Sequence, residues 1–372
     1  MKIIVEIGHP AHVHHFKNMI WNLEKRGSEV KIVAKDKDVT LELLRAYGFK
    51  YEILGRNYDG LLNKAYGLIK ADYRLFKIAK KFKPDLFVSR ASPHSAHVSR
   101  LVNRPHIAFC DTEHATLNDM LAYPFTDVIC TPLCYKKRLN PKKHVIFNGY
   151  KELAYLHPNY FKPDSSVLDD LGLSKEDKFI IIRLISWGAT HDTYSKGFTH
   201  NFLEKAVKSL EEYGHIFIAS EQRLEKNLEM YKIKIPSEKL HSALYYASLY
   251  FGEGSTTAVE AALLGTPAVH LEALKLKSGE IVCITEKLGY LDELVNKYQM
   301  FYTFTDQNQA LNKCLEILQD NDAKKGLLKR REKLLKDKID VTKFMTDFIE
   351  NYSESWKAKR GEPSHESLHS ST

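Results

Sequence analysis

Residues 251–269 read FGEGSTTAVEAALLGTPAV, and this stretch decides the fold. An apolar strand ends in a turn flanked by Gly252 and Gly254, and Ser255 then opens an alanine-rich helix that ends at Gly265. The N–H groups of a helix N-terminus point at whatever lies in front of them, and the helix dipole favours an anion there. The stretch therefore predicts a strand–turn–helix unit that can hold a phosphate.

Four residues of this stretch are candidates for contact with a nucleotide. Gly254 lets a phosphate approach the backbone, and Ser255 and Thr256 can cap the helix or bond the same phosphate. Glu260 lies five residues beyond Ser255, a little over one helical turn, so its carboxylate can accept hydrogen bonds from a ribose diol. A plain β-α-β crossover with a well-capped helix is the alternative, and the residues alone leave both open.

Short β-rich runs alternate with helical patterns on both sides of this stretch. The runs are continuously apolar, as in a parallel sheet covered on both faces. We predict strands at 2–7, 29–34, 50–54, 85–89, 106–109, 127–131, 179–185, 215–220, 249–252, 268–271 and 300–304. We predict helices at 14–26, 40–47, 61–82, 94–102, 115–122, 201–213, 237–247, 255–264, 306–319, 323–336 and 341–352.

A polar segment with two prolines, residues 148–170, separates two runs of this pattern. The sequence therefore predicts an α/β protein of two doubly wound, Rossmann-like domains that face a central cleft. We place the first domain at 1–150 and the second at 151–340. A closing helix at 341–352 and a disordered tail at 353–372 complete the prediction.

Composition favours a soluble globular protein over a membrane-spanning one, and no recognised nucleic-acid-binding motif accompanies the positive charge. The chain has 372 residues, 44% hydrophobic and 27% charged, and no stretch approaches the ~20 apolar residues that a membrane helix needs. Five scattered cysteines fit reduced thiols in the cytoplasm. The net charge of +8 gathers partly in residues 64–83 and 324–343. Such runs favour a solvated helix face, or else attraction to anionic lipids at the inner face of a membrane or to a phosphorylated substrate.

Four histidines follow the first predicted strand, in GHPAHVHHF at residues 8–16. Loops after parallel strands lie at the edge of the sheet where ligands bind. A metal would need further converging ligands, so we predict no metal site. We predict instead that His12, or else His9, acts as a general base on an acceptor hydroxyl; a histidine that only caps backbone groups is the alternative.

Two further loops of the first domain carry polar residues to the same edge. Arg90 follows the fourth predicted strand and is a candidate for binding an anionic acceptor. Asp111 and Glu113 follow the fifth strand and are candidates for acid or base chemistry. Helix capping by Asp111 is the alternative.

The second domain adds candidates at the ends of two other strands. Arg183, Ser186, Trp187 and His191 follow its first strand, and an arginine and a serine there suit a diphosphate. Trp187 alternatively packs in a core. His270 ends the strand after the glycine-flanked helix, and we predict that it reaches the sugar of a donor.

The stretch at 251–269 resembles the donor-nucleotide site of GT-B-fold glycosyltransferases. In that resemblance Gly254, Ser255 and Thr256 take the phosphate role and Glu260 takes the ribose role. The segment GHPAHV at residues 8–13 is similar to the first unit of MurG-type N-acetylglucosaminyltransferases, whose histidine His12 matches. Non-hydrolysing UDP-N-acetylglucosamine 2-epimerases share the architecture. Residues 183–192 and 148–153 resemble an uncharacterised microbial family placed among the GT-B folds.

The resemblance implies a glycosyltransferase that moves a sugar from a nucleotide-sugar, UDP-linked by preference, to a hydroxyl acceptor. A lipid-linked acceptor at the membrane surface fits the basic segment, and polysaccharide synthesis fits that acceptor. No cofactor or divalent metal is required by this reading, no nucleic acid is expected, and the oligomeric state stays open. A UDP-N-acetylhexosamine 2-epimerase that relies on Asp111 and Glu113, and a non-catalytic sugar-nucleotide-binding protein, remain the alternatives.

Overall fold

The computed structural model describes residues 1–56, 60–113, 116–185, 195–196, 198–220, 223–275, 281–283, 285 and 287–359. The chain divides into two compact units. The first unit comprises Met1–Tyr160 and Ile339–Thr372, and the second comprises Phe161–Lys338. The second unit is thus inserted into the first.

The described part of the first unit holds a sheet of seven parallel strands in the order β3-β2-β1-β4-β5-β6-β7. The strands are β1 (Lys2–Ile7), β2 (Glu29–Asp36), β3 (Tyr51–Arg56), β4 (Leu86–Ser89), β5 (His106–Phe109), β6 (Val128–Pro132) and β7 (His144–Phe147). Its helices are α1 (Pro10–Lys25), α2 (Thr40–Ala46), α3 (Leu61–Phe82), α4 (Pro93–Leu101), α5 (Thr116–Ala122), α6 (Leu153–Leu156) and, at the other end of the chain, Val341–Lys359. Because strand order reverses between β1 and β4, the loops after these two strands flank a topological switch point.

Helix α1 begins four residues earlier than the sequence predicts. Pro10 fits the first helical position, where no N–H is needed, and the His9 side chain caps the helix by accepting from the Ala11 N–H at 3.2 Å. His12 therefore lies on the helix and not in the loop. Gly27, in the left-handed region at φ 84°, follows the cap residue at the other end.

The described part of the second unit holds a parallel five-stranded sheet in the order β10-β8-β11-β12-β15. These strands are β8 (Phe179–Leu184), β10 (His215–Ser220), β11 (Leu249–Gly252), β12 (Ala268–Leu271) and β15 (Tyr302–Phe304). Three shorter strands, β9 (Ser195–Lys196), β13 (Ala273–Lys275) and β14 (Ile281–Val282), pair as an antiparallel sheet. The helices are α7 (Ser166–Leu171), α8 (His200–Leu210), α9 (Leu240–Tyr246), α10 (Ser255–Leu264), α11 (Gly289–Asp292), α12 (Gln307–Gln319) and α13 (Ala323–Asp337), and the helix Val341–Lys359 is α14.

The predicted α/β class with two Rossmann-like domains is confirmed, and the structure differs from the prediction in its details. Residues 151–160 belong to the first unit and not to the second, because α6 is buried there. The closing helix continues to Lys359, so the tail predicted from residue 353 starts inside it. Residues 360–372 lie outside the described residues. Within those that are described, no helix is long and apolar enough to span a membrane.

Candidate functional site

In the first unit, the first turn of α1 and the loops after β1, β4, β5 and β7 place five side chains in one group. We call this group the N-terminal cluster: His9, His12, Arg90, Asp111 and Lys151. The His9 and His12 rings lie 5.9 Å apart between centroids, and both side chains are partly exposed. Arg90 and Lys151 both contact the Asp111 carboxylate. The structure thus brings together His9, His12, Arg90 and Asp111, as predicted from their places after the strands.

Backbone donors fix the tautomers of both histidines in this cluster. The Gly8 N–H donates to Nδ1 of His12 at 3.2 Å, and the Ala11 N–H donates to Nδ1 of His9 at 3.2 Å. A backbone N–H can only donate, so each Nδ1 carries a lone pair and the proton of each neutral ring sits on Nε2. His9 and His12 therefore offer N–H donors through Nε2, which differs from the general base that the sequence predicts.

The surroundings of both rings favour the neutral imidazole and create a positive electrostatic potential there. Burial, together with the positive charges of Lys37, Arg90 and Lys151, lowers the pKa of His9 to about 4. Burial also lowers the pKa of His12 well below its ordinary value, with Arg90 as the next cause. Cations that disfavour an imidazolium equally favour an anion at the same place.

Asp111 is a carboxylate held by two cations. Its Oδ2 lies 2.9 Å from the Lys151 ammonium, and its Oδ1 accepts from the Arg90 guanidinium. Burial would raise the pKa of Asp111, but Arg90 and Lys151 outweigh it and hold that pKa well below its usual range. An acid of this strength is a weak base, so the structure does not favour the predicted acid or base role of Asp111.

Glu113 and Asp111 face different partners although they are two residues apart. Glu113 is buried, and its Oε1 accepts from the Lys136 N–H at 3.2 Å. That contact ties the β5 loop to the segment after β6. The acid or base role of Glu113 therefore stays a prediction, and the hydrogen bond described for its carboxylate is to a backbone N–H.

Lys151 and Glu152 belong to this site and were missed in the sequence. Lys151 bridges Asp111 and Glu152, with 3.0 Å from its Nζ to Glu152 Oε1, and burial raises the pKa of Glu152. Both residues lie just ahead of the buried helix α6. In the sequence, Lys151 and Glu152 stand directly before the apolar run of KELAYL at 151–156. Because charged residues next to a buried run are rarely buried unless paired, this pattern indicates a buried Lys-Glu pair.

In the second unit, β11 and α10 form the predicted strand–turn–helix, here called the glycine turn, residues 252–255. Gly254 is the N-cap of α10, and Ser255 and Thr256 open the helix with partly exposed side chains. At Gly252 a Cβ would lie 2.6 Å from the Tyr250 hydroxyl and 2.8 Å from the Arg183 carbonyl oxygen, so only glycine fits. The helix N-terminus is thus built as the sequence predicts.

Glu253 fastens the glycine turn to its neighbours. Its buried carboxylate accepts from the Ile185 N–H at 2.9 Å and from the Phe198 N–H at 2.6 Å. Its own N–H donates to the carbonyl of Arg183 at 3.1 Å, which places the end of β8 beside the turn. The carboxylate therefore holds the backbone on both sides of residues 186–197.

Glu260 and His270 are predicted to contact the ribose and the sugar, but both side chains are buried and contact other groups of the second unit. Glu260 Oε1 lies 3.1 Å from His241 Nε2, and both side chains are less than a tenth exposed. His270 is fully buried, and its Nε2 donates to the Glu253 carbonyl at 3.0 Å. The pKa of His270 rises to about 9: burial opposes the shift, and contacts with Cys283 and Glu272 outweigh it. His270 thus supports the glycine turn and has no surface for a sugar.

Three predicted binding residues, Ser186, Trp187 and His191, lie outside the described residues. Across the part of the chain that is described, no group of three or more His, Cys, Asp or Glu side chains converges to hold a metal ion. The described residues of the two sites supply hydrogen-bond donors, cations and a helix N-terminus.

Comparison with known families covers nearly the whole chain. The model of a family described as "Protein of unknown function (DUF354)" matches residues 1–354. An uncharacterised protein of Methanocaldococcus jannaschii is 23% identical over 338 residues, which cover 87% of this chain and 93% of that protein.

Solved structures show the same fold at low identity. A UDP-N-acetylglucosamine 2-epimerase has a TM-score of 0.65 and 13% identity, with 98% of each chain covered. The spinosyn forosaminyltransferase SpnP has a TM-score of 0.60 and 14% identity over 94% of this chain and 99% of its own. MurG of Acinetobacter baumannii has a TM-score of 0.56 and 16% identity over 94% of this chain and 100% of its own. These likenesses show that the chain has the GT-B fold.

Proposed function

The chain belongs to the DUF354 family, and we propose that it is a glycosyltransferase that takes its sugar from a nucleotide-sugar. The observation that carries the proposal is the glycine turn, which ends a parallel strand at Gly252 and opens α10 with Ser255 and Thr256. A partly exposed helix N-terminus at the end of a parallel strand suits the diphosphate of such a donor. One solved structure of this fold was determined with UDP bound, which supports UDP as the nucleotide to test first.

The N-terminal cluster supports transfer over epimerisation. A 2-epimerase must take a proton from a sugar carbon, and a base for that step needs a pKa near neutrality. Asp111 is held by Arg90 and Lys151 with its pKa far below neutrality. We therefore assign this cluster to acceptor binding and keep epimerisation as an outcome of the test.

The surface of α3 supports an acceptor at a membrane. Tyr66, Ile69 and Tyr73 expose more than half of their side-chain surface on this helix. Lysines lie over exposed rings, with Lys77 Nζ 4.6 Å from the centre of the Tyr73 ring and Lys70 Nζ 5.6 Å from that of Tyr66. Aromatic and apolar side chains among lysines suit the interface of an anionic lipid surface. A lipid-linked acceptor for glycan synthesis is the proposal that follows.

The test is turnover of a panel of nucleotide-sugars with and without a membrane lipid extract, following released nucleotide and sugar identity. We expect nucleotide release only when the extract is present. Thr256→Val, which keeps the shape and removes the hydroxyl, should raise the donor KM about 10- to 150-fold, since a hydrogen bond to a charged group contributes about 1.5–3 kcal/mol. Conversion of the sugar without an acceptor would make the protein an epimerase, and binding without turnover would make it a binding protein.

A further inference from the structure

The accessible histidines of the N-terminal cluster cannot take a proton through the nitrogen they have available. His9 and His12 accept backbone N–H groups at Nδ1, so Nε2 carries the proton in each. To serve as a base through Nε2, either ring would have to move its proton to Nδ1, where it would face another N–H. Through Nε2 each ring can instead donate a hydrogen bond to an oxygen.

The other titratable groups around the cluster are occupied as well. Asp111 binds Arg90 and Lys151. His15 accepts from Arg90 Nη1 at Nδ1, over 3.2 Å, so its proton also sits on Nε2. Glu6 is buried: its Oε1 accepts from the Ser92 hydroxyl, and its Oε2 accepts from the N–H and hydroxyl of Ser95. Glu152 is fully buried beside Lys151. None of these described groups is placed to deprotonate a hydroxyl.

The cluster has the charge that an anion needs. Two cations, Arg90 and Lys151, contact the Asp111 carboxylate, and Lys151 also lies 3.0 Å from Oε1 of Glu152, whose pKa is raised by burial. The positive charges of Arg90, Lys151 and Lys37 reach His9, where they act against a proton on its ring. Neutral N–H donors in a positive potential bind an oxyanion by hydrogen bonds without a competing proton transfer.

We propose that the acceptor brings its nucleophile to the N-terminal cluster as an oxyanion, the phosphate of a monoester, and that His9 and His12 hold this phosphate as N–H donors. The inference rests on the proposed glycosyltransferase function and names the chemical class of its acceptor. Near pH 7 a phosphate monoester is largely a dianion, since its second pKa is about 6. Such a nucleophile needs no general base.

The step balances without a proton. A bond forms between a phosphate oxygen of the acceptor and the anomeric carbon of the donor sugar. The bond from that carbon to the diphosphate oxygen breaks, and its electron pair leaves with the nucleoside diphosphate. A dianionic acceptor becomes a monoanionic glycosyl phosphodiester, while the dianionic donor becomes a trianionic nucleoside diphosphate, so total charge is conserved.

The first arm of the test compares acceptors that differ only in the phosphate. The full-length protein is incubated with the nucleotide-sugar that the panel identifies as its donor. The acceptor is an isoprenyl phosphate, the isoprenol of the same length, or a soluble sugar phosphate. We expect nucleotide release at least about 100-fold faster with isoprenyl phosphate than with isoprenol, because a hydroxyl acceptor would lack the 10²–10⁴-fold contribution of a general base. The sugar phosphate distinguishes a soluble phosphate source from a lipid one, and transfer to either phosphate supports the proposal.

The second arm separates a donor from a base at His12. His12→Gln keeps an N–H near the place of Nε2 and removes the basic ring, whereas His12→Phe keeps the ring shape and removes the N–H. If His12 acts as a hydrogen-bond donor, the transfer rate of His12→Gln should fall by less than about tenfold. The rate of His12→Phe should fall by more than that, because this variant loses one hydrogen bond. Melting temperatures of both variants show whether the fold is kept.

Each result bears on the proposal. Equal or faster transfer to isoprenol, or a loss of 100-fold or more in His12→Gln at an unchanged melting temperature, overturns the oxyanion acceptor while the glycosyltransferase function stands. Failure of every nucleotide-sugar to turn over with any acceptor, lipid extract included, overturns both.

Discussion

Gly252 occupies a position where even a methyl group has no room. A Cβ there would lie 2.7 Å from the Cβ of Arg183 and 2.8 Å from its carbonyl oxygen, so the backbone of β8 would have to move. At Gly254, two residues on, the nearest atom to a Cβ is 3.5 Å away, which is ordinary contact. The two glycines of one turn thus answer different constraints.

Gly252→Ala should therefore destabilise the second unit far more than Gly254→Ala. We expect the free energy of unfolding to fall by about 3 kcal/mol for Gly252→Ala, because overpacking against backbone cannot relax cheaply. For Gly254→Ala the loss should stay below about 1 kcal/mol, since only a helix cap changes. Urea unfolding of both variants measures the difference, and equal losses would contradict the close packing at Gly252.

Residue identity predicts the glycine turn but not the state of the histidines. Ser255 and Thr256 can be placed from the sequence because glycines and a helix start are local signals. The tautomer of His12 depends on where the Gly8 N–H points, and the weakness of Asp111 as a base depends on Lys151, forty residues away. Such contacts come from the fold and have no local signal.

Helix α14 is tied to the first unit at its N-terminus by Asp340. The Asp340 carboxylate accepts from the Lys343 N–H at 2.9 Å, from the Tyr160 hydroxyl at 2.9 Å and from the Asn159 amide at 3.0 Å. Asp340 caps the helix and at the same time binds Asn159 and Tyr160, the last residues of the segment 1–160. One side chain therefore joins two distant segments of sequence.

Asp340→Ala should lower the free energy of unfolding by about 2 kcal/mol or more, the cost of a lost cap and a lost charged hydrogen bond. Asp322→Ala is the matched control: Asp322 stands at the N-terminus of α13, its side chain makes no capping bond there, and it is 82% exposed. The control should change the free energy of unfolding by less than about 0.5 kcal/mol. Similar losses in both variants would show that Asp340 acts as an ordinary surface residue.

At the scale of elements, the buried strands and the long amphipathic helices were predictable, and the four strands β7, β9, β13 and β14 were not. The strand β1 is a run of apolar residues, and Ile3, Ile4 and Val5 are fully buried. The edge strand β7 has four residues and leaves Ile146 54% exposed, so its sequence lacks a buried run. The strands β9 and β14 have two residues each, too few for any period to be read.

On the scale of the whole molecule, each unit has a core of its own. A hydrophobic cluster of the second unit joins β8, β10, β11 and β12 to α8 and α12, all within Phe161–Lys338. The first unit needs its late helix: Val341, Met345 and Ile349 are fully buried, and the Phe344 ring stacks on Phe147 at 5.1 Å.

A fragment of residues 161–338 should therefore fold alone, with a cooperative urea transition and its own UDP affinity. A fragment of residues 1–160 should not unfold cooperatively until a peptide of residues 339–359 is added, because α14 covers apolar surface of α1 and α6. Circular dichroism of the two fragments with and without the peptide measures this. Cooperative unfolding of 1–160 without the peptide would contradict the role assigned to α14.

The return of the chain into the first unit also sets an order of events during synthesis. A ribosome delivers residues 161–338 in full before it delivers α14. The inserted unit can reach its final form while the N-terminal strands still wait for the helix that completes them. The unit that is translated first is thus the unit that completes its folding last. A chaperone that binds exposed apolar surface would therefore bind the N-terminal segment of the nascent chain.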